Sequence, residues 1–443
     1  MSVLRGTVEG PAAQGEPETD EVTVIRSSTN NASGRTVPVS PSAGEGRHHQ
    51  VLIIGGGNAG LSLAGRLRRY RVHDIAVIEP RSRHLYQPLF SHIAGGTADA
   101  LDAVLLQSAV MPRGVTWIQG MAADVNTETN TVLLVSGSAV TYDHLVVCPG
   151  IQNDWTAIPG LKAAMDSPYG GSNYEYELAS KAWDLFRGMT SGTVVFTQPS
   201  GPASCAGAAQ KPMYLACDNW RRQGVLKNIR VIFAVPTPTI FGMEIVDEEL
   251  NRKIDEYGIE VRYGTEVASV DPQARTVTLR NSTSNALEAV GYDILHAVPP
   301  QSAPDWLKRT ELPAPGNDGG FVEVDPLILR HTRFPNVWSL GDAASTLNSK
   351  SGAALRMQTK VLAKNLKAVI KGRKPSTNYN NYSACPFVVS RNTVVFSEFD
   401  DKYSPKPTIP GWNNLARERR LTYIADRIVL PTIYWNLILK GRA

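Results

Sequence analysis

The chain is poor in cysteine and in long apolar runs, and its charges nearly balance. Its 443 residues hold four cysteines, no two of which stand two positions apart, so the spacings typical of zinc ribbons and iron–sulfur clusters are absent. So few cysteines also argue against a secreted disulfide scaffold. We therefore expect no metal site, and we expect any cysteine with a special role to be catalytic.

The balance of charge and apolar residues excludes further classes. The formal net charge is +4, and no basic run is interleaved with aromatics, so we expect no nucleic-acid partner. No apolar run reaches the roughly 18 to 20 residues of a membrane-spanning helix. Residues 1–48 hold almost no large apolar side chain after Leu4 and predict a disordered tail. Its acidic residues argue against an organellar targeting peptide.

The folded part opens with a strand, a glycine-rich turn and a helix, in the order that binds a dinucleotide. After the apolar residues 51–54, the stretch "GGGNAG" supplies the G-x-G-x-x-G spacing. Gly55 allows the tight turn, Gly57 lets the backbone approach a pyrophosphate, and Gly60 lets helix and strand pack closely. A second strand, "DIAVIEP", ends at Glu79, where an acid is suited to the ribose hydroxyls.

Two later segments indicate which dinucleotide is bound. "VTYDHLVVCPG" predicts a strand ending in Gly150, and "FPNVWSLGDAAS" predicts one ending in Gly341 and Asp342, with a helix over about residues 352–370. This order resembles the flavoproteins with two dinucleotide-binding domains that are related to glutathione reductase, in which the late Gly-Asp lies beside the ribityl chain. The resemblance implies FAD. By itself, Asp342 would be a helix cap or a turn residue.

The middle of the chain predicts a second dinucleotide-type domain, inserted in the first. Residues 192–199 and 228–237 predict its first two strands, but the first leads into "SGPASCAGAAQ" instead of a second G-x-G-x-x-G, and the second ends without an acid. We expect this domain to keep the architecture without binding NAD(P)H. That argues against the main alternative enzyme on this fold, a type II NADH:quinone dehydrogenase.

A cysteine, Cys205, occupies the place of the missing glycine-rich loop. A helix start after it and Lys211 would both favour its thiolate; the alternative is a small buried residue in a loop. Cys385 lies beyond the helix predicted over about residues 352–370, where the late chain is expected to return to the flavin and to Cys205. Two such thiols suit sulfur chemistry, because a sulfide anion that opens a disulfide leaves a persulfide. We expect Cys148 and Cys217 to be packing residues.

Six segments carry a resemblance to one enzyme family: "RSRHLYQPLF", "CAGAAQKPMYL", "VPTPTIFG", "HAVPPQSAPDWLK", "LGDAASTLNSKSGAA" and "YSACPFVV". They are similar to sulfide:quinone oxidoreductases of the mitochondrial-like branch. The resemblance implies that Cys205 is the flavin-proximal cysteine and that Cys385 receives the incoming sulfide. It further implies non-covalent FAD, hydrogen sulfide, a membrane quinone and a sulfane-sulfur acceptor. A non-catalytic flavin-bearing protein is the other alternative, against which the two cysteines argue.

Three further residues are candidates for cofactor contacts. Arg81 is placed to contact the adenosine phosphates, Gln87 would bring backbone near the flavin ring, and Lys350 would stabilise the anionic reduced flavin by its charge. The alternatives are a solvated arginine and an ordinary lysine at a helix start. No carboxylate or cysteine cluster accompanies His84 or His92, and we expect His84 to be a polar loop residue.

The end of the chain combines apolar residues at helical spacing with nearby arginines. Leu421, Ile424 and Ile428 share one helical face, and Pro431 is expected to break or kink the helix before the apolar stretch "TIYWNLIL". This pattern predicts a segment lying in the headgroup region of a membrane, where quinone enters. We expect a monotopic protein at the cytoplasmic face of a bacterial inner membrane. A core helix or a dimer contact is the alternative, and a homo-oligomer stays open.

The predicted fold is α/β, with two Rossmann-like dinucleotide-binding domains of the glutathione reductase type, the second inserted in the first. The FAD-binding domain is expected over 49–164 and 296–385. The second domain, which carries Cys205, is expected over 165–295. A C-terminal region at the quinone and membrane interface is expected over 386–443.

Overall fold

The computed structural model describes residues 47–205, 207–408 and 416–443. The chain divides into the units Met1–Val39 and Ser40–Ala443, and every described residue belongs to the second. The predicted tail lies outside the described residues except for Arg47 and His48, which belong to the first strand.

The strands, in chain order, are β1 (Arg47–Ile54), β2 (Ile75–Ile78), β3 (Arg83–Leu85), β4 (Val104–Leu106), β5 (Thr116–Ile118), β6 (Ala122–Asn126), β7 (Thr131–Leu134), β8 (Ala139–Val147), β9 (Gln152–Asn153), β10 (Gly170–Gly171), β11 (Gly192–Thr197), β12 (Ile229–Ala234), β13 (Glu260–Arg262), β14 (Thr265–Asp271), β15 (Thr276–Asn281), β16 (Leu287–Gly291), β17 (Ile294–His296), β18 (Gln301–Ser302), β19 (Val337–Ser339), β20 (Ser383–Ser390) and β21 (Thr393–Phe399). The helices are α1 (Asn58–Arg69), α2 (Phe90–Ala94), α3 (Gln107–Val110), α4 (Leu161–Asp166), α5 (Tyr176–Gly188), α6 (Lys211–Arg222), α7 (Glu244–Tyr257), α8 (Asp305–Lys308), α9 (Gly352–Ile370), α10 (Arg420–Ile424) and α11 (Leu430–Ile433).

The first sheet joins the beginning of the chain to its later part. Its order is β5-β2-β1-β8-β7-β6, and β19 pairs with β8. Strands β2, β1, β8 and β19 are parallel, and the apolar run of β1 is buried because both faces of such a sheet are covered. Because β19 pairs with β8 in parallel, the late Gly341 lies at the carboxyl ends of the strands, where the G-x-G turn also lies. The predicted strands of this domain are confirmed.

The second sheet is built entirely from the middle of the chain. Its five strands have the order β10-β17-β11-β12-β13, and all are parallel. The antiparallel strands β14, β15 and β16 follow as a separate three-stranded sheet. The predicted inserted α/β architecture is therefore present. The predicted boundaries at 164/165, 295/296 and 385/386 fall inside α4, β17 and β20, because a change in residue pattern does not mark the end of a hydrogen-bonded element.

The C-terminal segment stays helical through Pro431, so that, of the predicted break or kink, the break is wrong. A π-helical turn over Ala425–Val429 precedes α11, and a second, over Tyr434–Ile438, follows it. Proline lacks the amide donor that a regular helix interior uses, and π turns shift the hydrogen-bond register around it. In the part of the chain that the structure describes, no helix has both the length and the apolar character of a membrane span.

We expect the substitution Gly60→Ala to lower the free energy of unfolding by about 2 to 3 kcal/mol, because a methyl group would overlap the carbonyl oxygen of Gly55. Gly188→Ala is the matched control, since nothing lies within 4 Å of its added carbon. Chemical denaturation of both variants measures the difference. Equal stability would contradict the close helix–strand packing assigned to Gly60.

Candidate functional site

The glycine-rich turn after β1 has the geometry of a phosphate-binding loop. Gly55 has a φ of +104°, and a side chain there would overlap the carbonyl oxygen of Cys148. Gly60 packs against the carbonyl oxygen of Gly55. A methyl group at Gly57, in contrast, would meet no protein atom within 4 Å. The face of the loop beside the N-terminus of α1 is therefore open to a ligand, and that N-terminus favours a phosphate.

A buried carboxylate and a buried amide fix this loop. Glu79 accepts hydrogen bonds from the backbone N–H of Gly56 at 2.8 Å and of Arg81 at 2.9 Å. Gln107 donates to the carbonyl oxygen of the same residue, Gly56, at 2.9 Å. The sequence analysis missed Gln107, because a glutamine at the start of a short helix carries no recognisable motif.

The second half of the dinucleotide site meets the first at the helix N-termini. An added carbon at Gly341 would lie 3.5 Å from Ala59 Cβ, and one at Gly352 would lie 3.8 Å from the Asn58 side chain. Gly341, with a φ of +72°, donates its N–H to Gln358 at 2.8 Å. The N-termini of α1 and α9 thus approach each other beside the Gly-Asp turn, and two such dipole ends suit an anionic dinucleotide.

Other predicted cofactor residues lie around this space. Gly150 follows β8 with a φ of +86° and has nothing within 4 Å of an added carbon. Arg81 forms an ion pair with Glu79 at 3.2 Å, and its side chain is 59% exposed. Asp342 is half-buried, and Gln87 is exposed in a short helical turn before α2. The residues present fit a dinucleotide, because open glycine backbone at Gly57 and Gly150 lies with the N-termini of two helices and a carboxylate, Glu79, in the same part of the structure.

Lys350 is buried just before α9. Its ammonium group donates to the carbonyl oxygen of Ala344 at 2.8 Å and lies 4.3 Å from the ring centre of Phe321. Burial lowers the pKa of Lys350 to about 8, although the charge of Asp342 opposes the shift. A cation held in this way can respond to a negative charge that develops beside it.

The structure brings Cys205 and Cys385 together across 180 residues of sequence. Their sulfur atoms are 3.5 Å apart, and both cysteines are free. The ammonium group of Lys211 lies 3.8 Å from the Cys205 sulfur. Helix α6 begins at Lys211 with Pro212 in its first turn, so proline opens the helix that follows Cys205 instead of interrupting it.

The two thiols have opposite electrostatic character. The hydrogen bond from Cys385 and the charge of Lys211 lower the pKa of Cys205, against the effect of burial. The pKa of Cys385 is raised, because its thiol donates to Cys205 and is itself buried. Burial by itself would lower the pKa of Lys211, but negative charge on the two sulfurs raises it. The pair therefore favours a thiolate on Cys205 beside a protonated Cys385.

Backbone contacts hold Cys205 in a left-handed conformation, with a φ of +54°. Its N–H donates to the carbonyl oxygen of Lys350 at 2.5 Å, and Tyr174 donates its hydroxyl to the carbonyl oxygen of Ser204 at 3.0 Å. The Gln301 side chain accepts from the N–H of Ser204 at 2.7 Å. The sequence analysis missed Tyr174 and Gln301, because both reach Cys205 from distant elements.

The other two cysteines and His84 are buried inside the protein. Cys148 and Cys217 are buried in the core, as predicted. His84 was expected to be a polar loop residue, and that prediction is wrong. It lies buried in β3, between Gln107 at 3.1 Å and the Tyr434 hydroxyl at 2.6 Å. It is buried because the C-terminal segment, more than 300 residues later, covers it.

Comparison with known proteins agrees with this geometry. The family model described as pyridine nucleotide-disulphide oxidoreductase matches residues 49–361. The mitochondrial sulfide:quinone oxidoreductase of Mus musculus is 33% identical over 89% of this chain and 87% of its own length. The corresponding protein of Dictyostelium discoideum is 30% identical over 89% of this chain and 86% of its length. A type II NADH:quinone oxidoreductase of Mycobacterium tuberculosis is less similar, at 27% identity over 76% of each chain.

A solved structure has the same fold. The sulfide:quinone oxidoreductase from Aquifex aeolicus superposes with a TM-score of 0.75 at 17% identity, covering 89% of this chain and 92% of that one. The names of the two relatives from Mus musculus and Dictyostelium discoideum place those proteins in mitochondria. These names do not support the expected cytoplasmic face of a bacterial inner membrane.

We expect Lys211→Met to raise the pKa of Cys205 by about one unit, because it removes the cation that stabilises the thiolate. The rate of Cys205 alkylation by iodoacetamide, followed against pH in the reduced protein, measures this pKa. Lys162→Met is the control, since Lys162 is exposed and pairs with Asp166. Superimposable pH profiles for the two variants would show that Lys211 does not act on the thiolate.

Proposed function

The chain belongs to the pyridine nucleotide-disulphide oxidoreductase family and, within it, to the sulfide:quinone oxidoreductases, and on this premise we propose that it oxidises sulfide with FAD and passes the electrons to a membrane quinone. The observation that carries the proposal is the meeting of Cys205 and Cys385, 3.5 Å apart beside Lys211. A flavin cofactor follows from the family, and the described residues support FAD in particular.

The residues that would hold FAD come from both halves of the first domain. The open face at Gly57 and the N-terminus of α1 would bind the pyrophosphate, and Glu79 would accept hydrogen bonds from the ribose. Gly341 and Asp342 would lie beside the remainder of the cofactor. When bound, FAD supplies a two-electron acceptor on the thiol side and a two-electron donor to quinone.

The resting pair would be a Cys205–Cys385 disulfide. A sulfide anion, HS⁻, attacks the Cys385 sulfur, so that a new S–S bond forms there as a persulfide and Cys205 leaves as a thiolate. The thiol with the lower pKa leaves faster, and the geometry lowers the pKa of Cys205 and raises that of Cys385. The charge of Lys211 stabilises the leaving thiolate.

The cycle closes in two further steps. A nucleophilic acceptor takes the outer sulfur from the persulfide on Cys385 and leaves a thiol there. Re-forming the Cys205–Cys385 disulfide then removes two electrons and one proton from the thiolate–thiol pair. A bound flavin would supply the acceptor for those two electrons. Lys350, buried with a lowered pKa, is placed to balance the negative charge that arrives with them.

The middle domain supports sulfide over NADH as the electron donor. The central strand of its sheet, β11, leads into the loop that carries Cys205, and Pro212 removes a backbone donor from the first turn of α6. A pyridine nucleotide would need a glycine-rich turn and free N–H groups at that place.

We propose that the C-terminal segment docks on a membrane surface. Leu421, Ile424 and Ile428 are 68%, 50% and 60% exposed. The same segment is anchored to the protein through a hydrogen bond between the His92 ring and the Asp426 carboxylate at 2.9 Å. Apolar side chains that project from a firmly held helical segment suit the headgroup boundary, where a quinone is reached.

We expect Cys205→Ser and Cys385→Ser each to abolish sulfide-dependent quinone reduction while FAD stays bound, because each removes one sulfur of the disulfide. Cys148→Ser is the control. The wild-type flavin should be bleached by sulfide and stay oxidised with NADH. Full sulfide turnover in either active-site variant, or rapid bleaching by NADH, would refute the proposed reaction.

We expect the double substitution Ile424→Asp and Ile428→Asp to release the protein from liposomes and to slow reduction of a long-tailed quinone, because charged side chains cannot enter the apolar boundary. Reduction of the flavin by sulfide should persist. Leu287→Asp, at a residue that is 66% exposed on β16, is the control. A truncation is less informative, because an added carbon at Gly65 would lie 2.9 Å from Gly441 N, so the chain end is packed against α1. Unchanged liposome binding would refute the docking surface.

A further inference from the structure

Gly207 lies against both partners of the sulfur centre. It follows Cys205 by two residues in the turn before α6 and is buried. A methyl group at Gly207 would place its carbon 2.7 Å from the Cys385 sulfur and 2.5 Å from Cζ of Phe387. Cys385 and Phe387 stand two residues apart in β20 and so point to the same face of that strand. That face presses directly on the Gly207 backbone.

The need for glycine at this position comes from its neighbours. Gly207 is not among the residues with positive φ, so alanine could adopt the same backbone conformation. What alanine could not share is the space that the sulfur and the ring occupy. The Cys385 side chain has a single rotatable bond, so its sulfur can move away only by leaving its rotamer or by shifting β20. Strand β20 is held by β21, where Ser397 donates to the Cys385 carbonyl oxygen at 2.7 Å.

The backbone of Gly207 also acts on the sulfur atoms chemically. Its N–H lowers the pKa of both thiols, Cys205 and Cys385, by favouring negative charge on their sulfur atoms. A backbone donor that faces both sulfurs stabilises negative charge on whichever sulfur carries it.

We propose that Gly207 is a positioning residue of the sulfur centre: its bare backbone fixes the Cys385 sulfur at the distance from which the disulfide with Cys205 closes and reopens. The proposal rests on the proposed function, in which this disulfide forms in every cycle. The sulfurs lie 3.5 Å apart, and a disulfide bond is about 2.05 Å long. Closure therefore needs only a small approach from the present position, and a methyl group at Gly207 would displace Cys385 from it.

The test measures the thiol–disulfide equilibrium of the intact holoenzyme without sulfide. The protein is equilibrated anaerobically in mixtures of reduced and oxidised dithiothreitol, quenched with acid and alkylated, and the Cys205–Cys385 disulfide is quantified by mass. One S–S bond forms in the protein as the one in oxidised dithiothreitol breaks, and the two electrons from the thiols reduce the reagent. The variants are Gly207→Ala, Phe387→Leu, the double variant, and Gly188→Ala as the glycine control.

We expect Gly207→Ala to shift the equilibrium toward the dithiol by about tenfold or more, because closure then requires displacing a packed strand. Phe387→Leu removes the ring atoms nearest to Gly207 and should leave the equilibrium near that of the wild type. The double variant relieves the contact with the ring but keeps the one with sulfur, so it should stay shifted. It also provides the measurement if Gly207→Ala alone does not fold.

Two outcomes would overturn the proposal. In the first, Gly207→Ala has the same equilibrium as Gly188→Ala. In the second, Phe387→Leu restores the wild-type equilibrium in the double variant, which would reduce Gly207 to a residue that accommodates an aromatic ring. Because the assay uses no sulfide, its result is separate from the proposed reaction, which sulfide bleaching of the wild-type flavin tests.

Discussion

A short backbone pairing between the Cys205 loop and the segment before α9 joins the sulfur centre to the part of the first domain where we propose that the cofactor binds. Ser204 pairs with Lys350 as in a parallel bridge, and the Cys205 N–H donates to the Lys350 carbonyl oxygen. Lys350 lies between the Gly-Asp turn of the first domain and α9. The pairing therefore fixes the distance between a thiol of the second domain and the dinucleotide site of the first.

Two buried ammonium groups lie around this junction. Lys211 stands beside the sulfurs, and Lys350 lies near Asp342. Burying an ammonium group is costly unless an opposite charge compensates it. At Lys211 the compensating charge is the Cys205 thiolate. At Lys350 the charge of Asp342 compensates in part, and a reduced cofactor would add negative charge. In the proposed cycle each ammonium group would thus gain a negative partner at one stage, which is how preorganised charge assists a reaction.

In the C-terminal segment, one set of residues packs against the rest of the protein and another set is exposed at the surface. Tyr434 is buried and donates to His84, whose other ring nitrogen reaches Gln107 and, through it, the glycine-rich loop. Ile424 and Ile428 project from the same segment into solvent. The segment that we propose to dock on a membrane is thus connected by hydrogen bonds to the loop that we propose to hold FAD.

The sequence by itself determined the features that rest on local spacing. The G-x-G-x-x-G turn, the acid at Glu79, the late Gly-Asp and six strands of the two sheets (β1, β2, β8, β11, β12 and β19) follow from patterns within a few residues, because turns and strands impose their own periodicity. Only the tertiary structure decided which distant groups meet. The sulfur distance between Cys205 and Cys385, the contact of Gly207 with Cys385, and the burial of His84 join residues from separate elements. Such contacts depend on how whole elements pack, and that packing leaves no periodic trace in the chain.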